Sequence, residues 1–129
     1  MTDPITDMLN RIRNALAVQH QTVEVPFSNL KYEIAKILKN EGFLESFEKK
    51  GTKSKKIIKI TLRYDEKIPA ISSLKRISKS GQRIYISAQE IKKPRGSYGI
   101  AIISTSKGLM TTKKAKKQNL GGELICEIW

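Results

Sequence analysis

Ile5, Met8, Leu9, Ile12 and Leu16 recur at the spacing of one helical face, while Arg11, Arg13 and Asn14 fall off it. Asp3-Pro4 opens this helix. Asp3 can accept from free N–H groups of the first turn, and Pro4 suits the first helical position because its missing N–H costs nothing there. The polar run 19–21 breaks the pattern, and Thr22-Val23-Glu24-Val25 alternates as a short strand stopped by Pro26. Leu30, Ile34, Ile37 and Leu38 form the next helical stripe; Ser28 caps it, Phe27 packs on Tyr32 as a hydrophobic staple, and Gly42 ends it. Phe43–Lys49 is a strand, and 51–56 is a basic turn. Ile58, Ile60, Leu62 and Tyr64 then alternate with Lys59, Thr61 and Arg63, so the second hairpin arm has one buried face. The first half reads α-β-α-β-β.

Asp65–Pro69 reads as a linker between two small domains, residues 1–65 and 66–129. Beyond it, Ser72–Ser78 and Gln82–Ser87 are short strands around Ser80-Gly81, and Glu90–Tyr98 is a loop. Gly99–Thr105 is the most apolar strand, turned by Ser106-Lys107-Gly108. Thr111 or Thr112 caps a brief basic helix, Lys113–Gln118. Gly121-Gly122 ends that region, and Glu123–Trp129 is a closing strand with Leu124, Cys126 and Ile128 on one face. The expected fold class is α+β: two small α/β domains, the second mostly β with one short helix.

Charge adds a functional direction. The 129 residues carry 25 Lys and Arg against 12 Asp and Glu, a formal net charge of +13. Residues 1–65 hold 12 basic and 8 acidic side chains, and residues 66–129 hold 13 and 4, so the second domain should carry more of any polyanion contact. Nucleic acid is the commonest partner of such a surface, with anionic membrane second. The membrane reading needs an amphipathic helix with a strongly basic polar face, and the first two helices are only mildly basic. A hydrophobic fraction of 39% supports a modest core. The longest apolar run, Ile100–Ile103, is strand-sized, so no membrane span is expected. Met-Thr-Asp-Pro opens without a charged region and apolar stretch, so no secretory signal is expected, and the chain should be soluble and intracellular.

Catalysis finds little support. His20 stands alone among glutamines, and Cys126, the single cysteine, sits in an alternating strand where a small buried hydrophobe fits. No acid/base pair, nucleotide-binding fingerprint or metal-ligand cluster appears, so no cofactor and no metal are expected. The segment Ser104-Thr105-Ser106-Lys107-Gly108 says more. It places three hydroxyls and a cation at a strand end, beside a glycine that lets a ligand approach the backbone. The helix start near Thr112 adds N–H groups, and Lys113, Lys114, Lys116 and Lys117 add point charges with no acid between Ser104 and Gln118. The same pattern also describes a hydroxyl-rich turn beside a solvated lysine face, or the phosphate cradle of a small transferase; the overall charge favours binding. Tyr85 shares its strand face with Arg83 and Ser87, opposite Ile84 and Ile86, and can stack on an unpaired base. Tyr98 is a weaker candidate, near Lys92, Lys93 and Arg95. Lys53, Lys55 and Lys56 form a smaller basic tip in the first domain.

Three stretches carry a family likeness. They are Asp3-Pro-Ile-Thr-Asp-Met-Leu-Asn-Arg-Ile-Arg-Asn-Ala15, then Leu30-Lys31 with Ile34-Ala35, Ile37-Leu38-Lys39 and Glu41-Gly42, and above all Gly99-Ile-Ala-Ile-Ile-Ser-Thr-Ser-Lys-Gly108 running on to Gly121-Gly122-Glu123-Leu-Ile-Cys126. In motif order and spacing the chain resembles bacterial small-subunit ribosomal protein eight from end to end. The resemblance implies a non-enzymatic, structural protein of the cytoplasmic ribosome that is monomeric when free. It implies primary binding to the central domain of small-subunit ribosomal RNA and assembly of the platform, with proteins five and twelve as neighbours and the messenger of its own operon as a second, repressed target. By resemblance Thr105, Ser106 and Gly108 form the main RNA loop with Ser104 at its start. Tyr85 and Gly121-Gly122-Glu123 lie beside it, and Lys31 and Lys55 approach the same RNA helix. Two positions depart from the family pattern. Ser80 replaces a frequent proline, which predicts a looser turn, and 113–119 is richer in lysine, which predicts stronger nonspecific RNA contact.

Overall fold

The computed structural model describes residues 3–92 and 99–129. Its backbone separates into two compact units, the first ending at Ser72 and the second beginning at Ser73.

In the first unit, helix α1 (Pro4–Ala17) starts as its sequence dictates: the Asp3 carboxylate accepts from the Ile5 amide at 3.0 Å, with Pro4 leading. It buries Ile5, Met8, Leu9, Ile12 and Ala15. Strand β1 (Thr22–Pro26) leads to helix α2 (Asn29–Asn40), where Ser28 accepts from the Lys31 amide and the Phe27 and Tyr32 rings stand 5.8 Å apart. The buried stripe of α2 is Lys31, Ile34, Ala35 and Leu38, whereas Leu30 is 41% exposed. The expected stripe is therefore rotated by one residue at its start. Strands β2 (Leu44–Thr52) and β3 (Lys55–Leu62) join β1 in an antiparallel sheet of order β1-β3-β2. Ile58, Ile60 and Leu62 form its buried face. The ladder runs out to Thr52–Lys55, so most of the expected basic turn is paired strand and only Lys53-Ser54 turns.

The expected linker is itself structured. Strands β4 (Tyr64–Asp65) and β5 (Ile68–Pro69) pair as a hairpin, with Glu66 and Lys67 at its tip. Both tip residues have positive φ, 50° and 70°. A two-residue hairpin needs that geometry to match the strand twist, and Asn-Gly is its usual sequence sign. Glu-Lys carries no such sign.

The second unit is built around strand β10 (Gly122–Ile128). The short strands β6 (Leu74–Arg76) and β7 (Tyr85–Ile86) pair with opposite ends of β10, and β8 (Ile100–Thr105) pairs along its other side, followed by β9 (Gly108–Thr111). Helix α3 (Thr112–Lys117), capped by Thr111, and a turn of 3-10 helix (Ala88–Glu90) complete it. Ile91, Ile103, Met110 and Ala115 form a core that Ile86 and Leu120 close. Strands expected over 72–78 and 82–87 are thus shorter, and residues after Gly108 form a strand that the sequence did not signal. The turn at Ser80 is closed by reciprocal Lys79–Gln82 backbone bonds of 3.0 and 2.9 Å, tighter than the missing proline suggests. Lys93, Arg95 and Tyr98 lie outside the described residues.

A bulge at Ile125 corrects the reading of the last strand. Leu124 pairs with Ile103 and Cys126 with the adjacent Ile102, so Leu124 faces opposite to Cys126 and Ile128. The bulged carbonyl is satisfied by the Ile77 amide at 3.0 Å and Arg76 Nη1 at 2.7 Å.

Candidate nucleic-acid interface

The β8–β9 turn shows how its three hydroxyls divide the work. Thr105 Oγ1 donates to the Gly108 carbonyl at 2.8 Å and accepts from the Lys107 amide at 3.1 Å. Thr105 is therefore the internal brace, while Ser104 is half-buried and Ser106 exposed. Ser106 and Lys107 both keep negative φ, while Gly108 takes +105°, a conformation that burdens any side chain. A Cβ on Gly108 would meet nothing within 4 Å, so glycine here answers to backbone conformation and leaves open space above the chain.

Three neighbouring strands then align one row. Ser104 pairs with Glu123, and Glu123 with Tyr85. Directly paired residues point to the same side, so these three project together, away from the Ile103 core. Tyr85 is 68% exposed, as its alternation predicts. Gly121 and Gly122 make the row possible. A Cβ on Gly122 would lie 2.0 Å from the Ser104 carbonyl oxygen, and one on Gly121 would lie 2.5 Å from that of Ile86. These glycines let β7 and β8 close on β10, a structural duty that their sequence neighbourhood does not reveal.

Glu123 is an acid on a basic face, and its partners explain its presence. Its Oε2 accepts from Ser78 Oγ at 2.6 Å and from Arg83 Nη1 at 2.9 Å. The Ser78 hydroxyl, foremost, and the Arg83 guanidinium hold the carboxyl below its usual range against the opposing effect of burial. Ser78 and Arg83 are partners of Glu123 that sequence reasoning missed as a pair. A buried serine carries no sequence signature, and Arg83 stood out only by its proximity to Tyr85.

Lys107, Lys113, Lys114, Lys116 and Lys117 are all exposed. The N-terminus of α3 is less open than expected, since Thr111 Oγ1 accepts from the Lys114 amide at 3.3 Å. From Ser73 onward twelve basic side chains stand against three acids, one of which is engaged by Arg83. Lys31 and Lys55 belong to the first unit. Lys55 is exposed at the end of the β2–β3 hairpin. Lys31 is only 5% exposed and its ammonium is pushed to lower pKa by burial, offset by the Asp7 carboxylate. In this structure it is a lysine of the helix interior, with little surface to offer a phosphate.

Cys126 is fully buried, and burial pushes its thiol up to about 12, far from a nucleophile's range. His20 is exposed. Among the described residues no group of His, Cys, Asp or Glu could hold a metal, and no helix is long and apolar enough to cross a membrane.

The model of the family described as ribosomal protein S8 matches residues 3–129. Three relatives named small ribosomal subunit protein uS8 illustrate the similarity. Those from Thermoanaerobacter sp. (strain X514) and Finegoldia magna are 54% and 53% identical over 100% of this chain and 98% and 99% of their own lengths. That from Mycoplasmopsis pulmonis is 51% identical over 100% of this chain and 98% of its own.

Proposed function

The chain belongs to the ribosomal protein S8 family, and from that premise we propose that its second unit grips one folded element of small-subunit ribosomal RNA through the Tyr85–Glu123–Ser104 row and the adjoining 105–108 turn. As a family member it is a structural component of the small ribosomal subunit, and its place is the ribosome. The observation that supports the finer reading is the row itself. An exposed aromatic, an acceptor and a hydroxyl share one face, with a turn beside them that carries exposed Lys107 and is left open by Gly108.

The chemistry follows from those groups. A-form RNA hides its major-groove edges, so specific recognition favours an irregular helix with an unstacked base or an accessible minor groove. Tyr85 stacks on such a base. Ser104 and Ser106 bond to ribose hydroxyls and base edges, and the uncommitted oxygen of Glu123 accepts from a ribose hydroxyl or base amino group. Lys107, Lys113, Lys116, Lys117 and, from the first unit, Lys55 hold phosphates; Thr105, Gly121 and Gly122 fix the frame. The target is the central domain, bound during platform assembly beside proteins five and twelve by a chain that is monomeric when free. The messenger of its own operon is a second target of the same surface. Footprinting of the purified chain on naked small-subunit ribosomal RNA tests this: one discrete protected helix in the central domain is expected, and uniform weak protection would overturn the assignment.

A further inference from the structure

We infer that Ser78 is a positioning residue for this RNA-reading face, its buried hydroxyl setting both Glu123 and the entry to β7 and through them the ring of Tyr85. The inference rests on the RNA-binding reading above and goes beyond it by naming what aims the aromatic.

Tyr85 has little to hold it. Its ring is 68% exposed, and its strand is two residues long, paired to β10 only through Tyr85–Glu123 and Ile86–Gly122. The direction of the ring is therefore set by the backbone that enters β7. That backbone is pinned at Ile84, whose carbonyl accepts from the Leu124 amide at 2.9 Å and whose amide donates to Ser78 Oγ at 3.1 Å. The same Ser78 hydroxyl, 0% exposed, gives its proton to Glu123 Oε2 at 2.6 Å, where Arg83 Nη1 also bonds. One hydroxyl thus joins the two strands that present Tyr85 and Glu123, spending its donor on one and an acceptor lone pair on the other. Removing it orphans a backbone N–H and releases the carboxylate to a half-exposed arginine. The ring then samples more orientations, and binding must select among them, which lowers affinity although no RNA-facing side chain has been removed.

The test is a double-mutant cycle on the full chain with naked small-subunit ribosomal RNA and, as a nonspecific probe, an unrelated RNA duplex. Ser78→Ala should weaken specific binding roughly tenfold and leave duplex binding unchanged. In a Tyr85→Ala background the same change should cost well under that roughly tenfold loss, because there is no ring left to aim and only the Glu123 contact is still affected. A general loss of stability would persist in that background. Arg83→Gln, at a half-exposed site that endangers folding less, should cost about threefold, likewise absorbed by Tyr85→Ala. Ser78→Ala binding as tightly as wild type, or losses that add to that of Tyr85→Ala, overturn the inference. Should Ser78→Ala fail to fold, the Arg83–Tyr85 cycle decides by the same criterion. A wild-type chain that protects no RNA helix would overturn the RNA reading and this inference together.

Discussion

Both units carry a hairpin with a two-residue tip, a hydroxyl, a lysine and a positive-φ glycine, and the two differ in what the glycine faces. In the β2–β3 hairpin Gly51 has φ +107°, and a Cβ there would lie 2.1 Å from the Lys55 carbonyl oxygen. In the β8–β9 hairpin Gly108 has nearly the same φ, +105°, with nothing within 4 Å. The first glycine is walled in by its own hairpin; the second opens onto solvent. Nearly equal φ thus accompanies unequal surroundings, and only the second leaves room for something outside the chain.

Matched substitutions test the contrast. The largest effect is expected at the tips: Ser106→Leu should cut specific RNA affinity by at least about a hundredfold, since a good directional contact is worth ~1–3 kcal/mol and bulk adds a clash. Ser54→Leu in the other tip should change it less than twofold. Gel-shift titration at ~0.15 M salt measures both, and equal effects would erase the distinction. Next come the glycines. Gly51→Ala should cost ~2–4 kcal/mol of stability, because a wall contact adds to the conformational penalty. Gly108→Ala should cost only ~1–2 kcal/mol yet weaken RNA binding more than Gly51→Ala does; urea unfolding beside the same titration separates the two. Lys116→Ala and Lys55→Ala should each lower the salt-dependence slope by ~0.7–0.9 for every phosphate that the lysine neutralises. A slope unchanged for Lys55→Ala would confine phosphate binding to the second unit. The smallest effect concerns pH. Glu123 is held below its ordinary value of 4.5 in the folded chain, so its carboxylate stabilises the fold above that value and the contribution fades as pH falls through the lower folded pKa. The stability gap between wild type and Glu123→Gln should be flat from neutral pH down to about 5 and shrink below about 4.5.

The parts that could be read from sequence are those where one residue type answers one local need. Asp3-Pro4, Ser28 with its Phe27–Tyr32 staple, and Gly42 are of this kind, and the structure places each as expected. The apolar run 100–103 is likewise buried throughout. The misses arise where tertiary packing chose against local preference. Helices α1 and α3 end as α2 does, each with a residue in the left-handed region, but there the residues are Gln19 and Asn119, neither of which announces a stop as plainly as Gly42. Glu66-Lys67 turns a hairpin without glycine, and Lys31 takes the buried place that periodicity assigns to Leu30. At the candidate site the exposed Tyr85 was visible in the alternation of its strand, and Ser106 in the run of hydroxyls that turns into Lys107-Gly108. Ser78 was not, because its hydroxyl is engaged by the Ile84 amide across a turn and by Glu123 of β10, partners that the sequence does not put beside it.

The lateral pairing of Tyr85, Glu123 and Ser104 also sets a length. Adjacent strands are ~4.8 Å apart, so the phenol and the serine stand ~10 Å from one another, about the height of three stacked bases at ~3.4 Å each. A gauge that short cannot count along an extended duplex. On the RNA reading proposed above it senses only a disturbance a few nucleotides tall, so nucleotides added to the RNA far above or below the disturbance should pass unnoticed, while one inserted within it should throw every contact out of register.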